Sequence, residues 1–157
     1  MEKKKKVKES ISEQVFVIRT QFINGYGRLF GGQLMQWIDE LAGVVCRRHC
    51  GMTVTTASID NLNFQEPAYL NDMIVLIGKL TYVGLTSMEV RVDTFIEDEY
   101  GTRKSINRAY VVMVAIDQDG KAVEVPGLDI ETEEEQAEWK SGEKRYELRK
   151  IRRKEGY

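Results

Sequence analysis

A single apolar stripe at helical spacing runs from Gly32 to Cys50, and only strand patterns follow it as far as Asp117. That order constrains the fold more than any other feature of the chain. Spaced at about 100° per residue, Leu34, Met35, Ile38, Leu41, Ala42 and Val45 fall within about 120° of one another and predict the buried face. Gly51 stands just past the stripe, where glycine commonly ends a helix. Val15, Phe16, Val17 and Ile18 read as a strand ahead of the helix. Residues 53–64 are β-branched and alternating, and 73–83, 87–97 and 105–117 read as three further strands forming a meander. Their connectors, 84–86, 98–102 and 118–121, have hairpin length and chemistry. One strand, one long helix and four antiparallel strands make an α+β arrangement in which a sheet lays one face over a helix. One helix cannot cover such a sheet, and the terminal strands leave pairing edges, so self-association is expected. Thr132 and Glu135 have capping-box spacing and open a C-terminal helix with acids first and bases last.

Composition narrows the function. At 157 residues, 42% hydrophobic and 31% charged, the chain fits one domain. No apolar run approaches the roughly 18 residues of a membrane span. The basic start, Met1 to Lys6, leads into no apolar segment, so no secretory signal is expected and the cytoplasm is the default. Cys46 and Cys50 lie four apart on one helix and read as reduced thiols. His49 is the only histidine, so any Ser-His-Asp or Cys-His mechanism must run through it. Together with the two cysteines it lacks a fourth ligand, and no metal is expected.

The net charge of -2 hides a segregation: residues 1–8 carry +4, residues 140–157 carry +5, and the body between them carries -11. An acidic body repels a nucleic-acid backbone, so no nucleic-acid partner is expected. The basic ends are either solvated or able to grip a small polyanion. In the second case the helical spacing of Arg145, Arg149, Arg152 and Arg153 aims at least three guanidinium groups together.

Two features of the predicted helix carry chemistry. Glu40 falls beside Arg47 on the polar side and reads as solvated. Asp39 falls on the shoulder of the apolar stripe, where a carboxylate loses hydration, so either a hydrogen-bond partner satisfies it or a function retains it. Gly31 and Gly32 head the helix, and the free N-H groups of a first turn suit a carbonyl oxygen or an anion. Asp39 lies about 10 Å along the axis from that head, too far for one group to touch both, unless water bridges or the Asp comes from a facing subunit. Tyr26, Phe30 and Trp37 either line an apolar tunnel or pack the core.

The stretch from Asn24 to Gly43, with Phe30-Gly31-Gly32, Leu34-Met35 and Asp39, resembles the signature of hotdog-fold acyl-CoA thioesterases. The likeness continues through Asp60, Phe64 and Pro67, through Gly84 to Met88, through Val114 to Asp117, and to Val125-Pro126, covering roughly residues 12–127. Gly25 and Arg28 depart from it at the mouth of the site. The resemblance implies a hotdog fold, a long central helix wrapped by an antiparallel sheet. The chain then divides into a basic N-terminal tail (1–11), a thioesterase domain (12–130) and a charged C-terminal helix (131–157). It further implies a homodimer with shared active sites, which assembles further in some relatives into a hexamer as a trimer of dimers. In such proteins Asp39 corresponds to the carboxylate that activates water, or that attacks directly. Asn24 corresponds to the orienting amide, and the Gly31 and Gly32 backbone to the thioester carbonyl site. Phe30 and Phe64 would then flank the acyl group, with Thr86, Ser87, Arg145 and Arg149 on the CoA moiety. No cofactor is implied, since coenzyme A belongs to substrate and product. The competing reading is a non-catalytic acyl-CoA sensor, disfavoured because no output domain is visible. Hotdog dehydratases use a site histidine, and His49 lies at the far end of the helix from Gly31.

Overall fold

The computed structural model describes residues 3–157. A five-stranded antiparallel sheet is built from β2 (Ser12–Val17), β3 (Thr53–Asp60), β4 (Met73–Val83), β5 (Ser87–Glu97) and β6 (Arg103–Ile116), in the order β2-β4-β5-β6-β3. Helix α1 (Gly31–Cys50) packs on one face. Strands β4, β5 and β6 form the expected meander through their short turns. β3 is set apart from β4, because the connection 61–72 is long enough to carry the chain across from the outer side of β6. Both β2 and β3 therefore stand at sheet edges.

Leu34, Ile38, Leu41, Ala42 and Val45 are buried against the sheet as the periodicity predicts. Gly78 on β4 permits the close approach, since a Cβ there would stand 3.1 Å from Val45 Cγ2. Met35, expected in the stripe, is instead 42% exposed, and Trp37 takes the buried position. Its indole stacks on Phe16 with centroids 4.2 Å apart and meets Phe22 edge-on at 5.1 Å. That aromatic cluster on the side facing β2 outweighs the simple wheel. Gly51 adopts φ 70° and returns its N-H to the Arg47 carbonyl at 2.8 Å, closing the helix.

The charged ends are docked. Lys5–Lys6 form β1, parallel to β7 (Leu128–Asp129), and Val7 is buried. Helix α2 (Glu133–Glu155) begins at Thr132, whose side chain accepts the Glu135 N-H at 3.0 Å. It lies against the sheet face opposite α1. Tyr82 of that face packs on Trp139 and Tyr146, and Gly142 is buried because a Cβ would sit 2.6 Å from Tyr82.

Side chains on β5 alternate accordingly. Met88, Val90 and Val92 enter the α1 core, while Glu89 and Arg91 face α2. Glu89 is 2% exposed and accepts from Thr81 at 2.5 Å, from Arg145 at 2.8 and 2.9 Å, and from Arg149 at 2.5 Å. Burial alone pushes its carboxyl up, but the hydrogen bonds from Arg145, Thr81 and Arg149 outweigh it and hold the group below its ordinary range.

Candidate active site

The loop before α1 folds around Asn24. Its Oδ1 accepts the N-H of Tyr26 at 2.9 Å and of Arg28 at 3.2 Å, and its backbone N-H bonds the Arg28 carbonyl at 2.8 Å. This Asx-type turn fixes the amide orientation. With the oxygen committed, the Nδ2 group has no partner among the described residues and is available as a donor.

At the head of α1, Phe30 occupies the N-cap position without a side-chain cap. Gln33 and Leu34 donate to its carbonyl, whereas the N-H groups of Gly31 and Gly32 have no partner among the described residues. The two glycines let aromatic rings close in on the helix head. A Cβ on Gly32 would stand 2.5 Å from the Phe30 ring, and one on Gly31 would stand 3.3 Å from the Phe64 ring. Asn24, Gly31, Leu34, Phe64 and Ile106 line one cleft of about 440 Å3. Phe30 and Phe64, both more than half exposed, flank the helix head.

Asp39 lies two turns further along α1 and is half-buried. The Thr56 hydroxyl, projecting from edge strand β3, donates to its Oδ1 at 2.5 Å. Thr56 is the residue that sequence reasoning missed. Its strand was legible, but its position opposite Asp39 depends on β3 crossing to the far side of β6. Within one chain, Asp39 and Thr56 do not share the cleft of Asn24 and Gly31.

A second cleft, of about 380 Å3, brings Thr86 and Ser87 at the β4-β5 turn together with Arg149, Arg152, Arg153, Tyr146 and Tyr157 of the C-terminal segment. The arginines differ in their freedom. Arg145 is held by Glu89 and lies 3.7 Å over the Tyr110 ring, and Arg149 bridges Glu89 and Asp60. Arg152 reaches Asp60 only at 3.2 Å and is half exposed, and Arg153 is exposed.

His49 is buried at the opposite end of α1, with Nε2 donating to the Pro126 carbonyl at 2.8 Å. Burial, opposed by that hydrogen bond, lowers its pKa and keeps it neutral. It ties α1 to the segment before β7. Cys46 is fully buried and burial pushes its thiol up, so it is inert.

The profile of the Thioesterase superfamily matches residues 26–102. An uncharacterised acyl-CoA thioester hydrolase of Bacillus subtilis is 38% identical over 125 residues, 79% of this chain and 71% of that protein. The cytosolic acyl coenzyme A thioester hydrolase of Rattus norvegicus is 33% identical over 82% of this chain, which spans only 34% of that longer protein. Among solved structures, the acyl-CoA hydrolase of Staphylococcus aureus in complex with butyryl coenzyme A superposes with a TM-score of 0.90 at 34% identity, covering 96% of this chain and 93% of that one. An apo-hexameric acyl-CoA thioesterase gives a TM-score of 0.90 at 34% identity, over 96% and 97% of the two chains. Variants of the Staphylococcus aureus enzyme with an asparagine, an aspartate or a threonine replaced by alanine have also been solved. Those three positions are separated by the same sequence intervals as Asn24, Asp39 and Thr56. From the Asn24 loop to the edge strand that carries Thr56, this chain belongs to the hotdog-fold acyl-CoA thioester hydrolases of the thioesterase superfamily.

Proposed function

We propose that the protein hydrolyses acyl-CoA to a free carboxylic acid and CoA by water attack, with Asp39 as the general base. The observation that carries this reading is the Thr56 hydrogen bond to Asp39 Oδ1. It fixes one carboxylate oxygen and leaves the other to take a proton from water. The water oxygen adds to the thioester carbonyl carbon, and Asp39 accepts its proton. The unpartnered N-H groups at Gly31 and Gly32, with the Asn24 Nδ2 group, are the donors suited to the oxyanion that develops. Collapse then breaks the C-S bond. A thiol of ordinary pKa near 8.5 leaves as thiolate with little assistance, so neither metal nor acid catalyst is required.

Phe30 and Phe64 flank the acyl group in this reading. The CoA moiety runs to the cleft of Thr86 and Ser87, where Arg149 and its exposed neighbours Arg152 and Arg153 offset the negative body of the chain, and Arg145, held by Glu89 outside the cleft lining, adds its charge from behind. The working unit is a homodimer, and because one relative is hexameric, a trimer of such dimers is the larger candidate assembly. Support comes from β3. From Thr53 to Ile59 its unpaired edge carries no charged residue, and it presents Thr56 with Asp39 where a second copy would pair. Such pairing would bring Asn24 and the helix head of one chain to Asp39 of the other. The N-terminal segment, the domain proper and the C-terminal helix would then act as one unit. The cytosolic relative supports a cytoplasmic setting, and no described helix is long and apolar enough to cross a membrane. A panel of acyl-CoA chain lengths followed with a thiol reagent tests the activity. Release of CoA thiol from at least one chain length is expected, and none from any would overturn the reading.

A further inference from the structure

Edge strand β3 carries Thr56, and its two halves turn their polar side chains to opposite faces of the sheet. Val54 lines a cleft with Val44, Arg47 and Arg48 on the α1 side, and Thr56, two residues on, donates to Asp39 of α1. Ser58 and Asp60 instead line the cleft of Arg149 and Arg152 on the α2 side. Strict alternation would put residues 54, 56, 58 and 60 on one face. The change of face comes from one extra residue. Thr56 pairs with Met113 and Ser58 with the adjacent Val112, so Ala57 has no counterpart on β6. A bulge of this kind re-aims the side chains on either side of it.

The main-chain ladder is blind to side-chain identity, so pairing with β6 does not by itself decide which residue of β3 is the extra one. Ile59, packed against the core, is one anchor of the observed phase. Asp60, the only charged residue of the strand, is the other. Its Oδ2 accepts from Arg149 Nε at 2.6 Å, and Arg152 adds contacts at 3.2 and 3.3 Å. Arg149 is itself held at 2.5 Å by the buried Glu89 of β5, so the anchor is fixed to the middle of the sheet. Asn61 follows with φ 64° and ends the strand, which makes Asp60 the last position from which its phase can be held. A continuous path therefore runs from Glu89 through Arg149 and Asp60 along β3 to Thr56 and Asp39.

We propose that Asp60 is a positioning residue for the general base: its ion pair with Arg149 fixes β3 beyond the bulge and so keeps the Thr56 hydroxyl on Asp39. The proposal rests on the thioesterase reading, in which Asp39 takes the proton from water. Asp60 lies on the opposite face of the sheet from Asp39 and acts on it only through Thr56. Its loss harms the step that Thr56 serves, and adds nothing once the Thr56 hydroxyl is gone. Any effect of its charge on CoA held in the α2 cleft falls on KM instead.

The test is a double-mutant cycle of Asp60→Asn and Thr56→Ala in the full chain, using the acyl-CoA of the panel that the wild type cleaves fastest. Asp60→Asn alone is expected to lower kcat at least about fivefold, and to lower it less than about twofold further in the Thr56→Ala background. Glu138→Gln weakens a separate tie of α2 to the sheet, at Arg91, and is expected to leave kcat unchanged. An unchanged kcat in Asp60→Asn, losses that multiply in the double variant, or an equal loss in Glu138→Gln overturns the proposal. If the wild type cleaves no acyl-CoA at all, the thioesterase reading has failed, and the contact is followed by NMR of the threonine methyl groups, with the Thr56 signal identified by its absence from Thr56→Ala. A shift of that signal in Asp60→Asn that Glu138→Gln does not produce supports the positioning role, and an unmoved signal overturns it.

Discussion

Thr56 of the edge strand β3 holds Asp39 of helix α1 by a 2.5 Å hydrogen bond, joining the central helix to the outermost strand of the sheet. The hydroxyl donates, so the carboxylate is fixed in one rotamer while its second oxygen stays free. Thr56→Ala is expected to lower kcat by about tenfold or more with KM little changed, and Thr56→Ser to restore most of it, because only the hydroxyl is required. Steady-state kinetics of the two variants checks this. Equal damage from serine and alanine would assign Thr56 to packing.

Asn24 and the Gly31 N-H share a cleft that Asp39 does not enter within one chain. If the partner subunit supplies the carboxylate, Asn24→Ala and Asp39→Ala proteins are each inactive, yet their mixture regains activity in heterodimers. About a quarter of the wild-type rate is expected at full random exchange, from one intact site in each mixed dimer. Activity is followed while mass spectrometry verifies exchange. No recovery after proven exchange would put the complete site within one chain.

Glu89 is the buried anchor of α2. Its folded carboxyl lies below the ordinary value, so it contributes stability that is present above about pH 4.3 and lost as pH falls through the folded value. Removing its charge as Glu89→Gln leaves Arg145 and Arg149 without their buried partner and is expected to cost about 3 kcal/mol or more. Urea melts at pH 7 and pH 4 provide the check. The variant should lose the part of the pH dependence that belongs to this carboxylate, and an unchanged melt at pH 7 would contradict the role.

The long helix, its glycine stop, the five strands of the main sheet and the capped C-terminal helix were legible in the sequence because each rests on local periodicity or local chemistry. Asp39 and the glycine pair stood out for the same reason, as a carboxylate on the shoulder of an apolar stripe and as small residues heading a helix, whereas Asn24 stood out only through the family resemblance. Core packing was one of the two readings of Trp37, but its place in the buried face was not legible, because a stacking partner on β2 cannot be read from a helical wheel. Nor were Thr56 and Glu89. Thr56 meets Asp39 through strand order, and Glu89 looks solvated until α2 is known to cover the second face of the sheet. Non-local pairing decided all three.

The arginines of α2 separate by what already holds them. Arg152→Ala and Arg153→Ala are expected to raise KM for acyl-CoA severalfold with kcat and the melting temperature little changed, since phosphate contacts act alike in ground and transition states. Arg145→Ala and Arg149→Ala should raise KM and also lower the melting temperature, because they strip Glu89. A pantetheine thioester, which lacks the nucleotide, should be indifferent to Arg152→Ala and Arg153→Ala. Equal loss on both substrates would remove α2 from CoA recognition.

The general-base role of Asp39 is tested most directly by the single-turnover rate of acyl-CoA cleavage in Asp39→Asn beside the wild type, at saturating enzyme. The amide keeps the shape and can still accept from Thr56, but it cannot take a proton from water. A fall of at least about two orders of magnitude, with substrate binding and melting temperature retained, is predicted. Cleavage at a near wild-type rate would contradict the account.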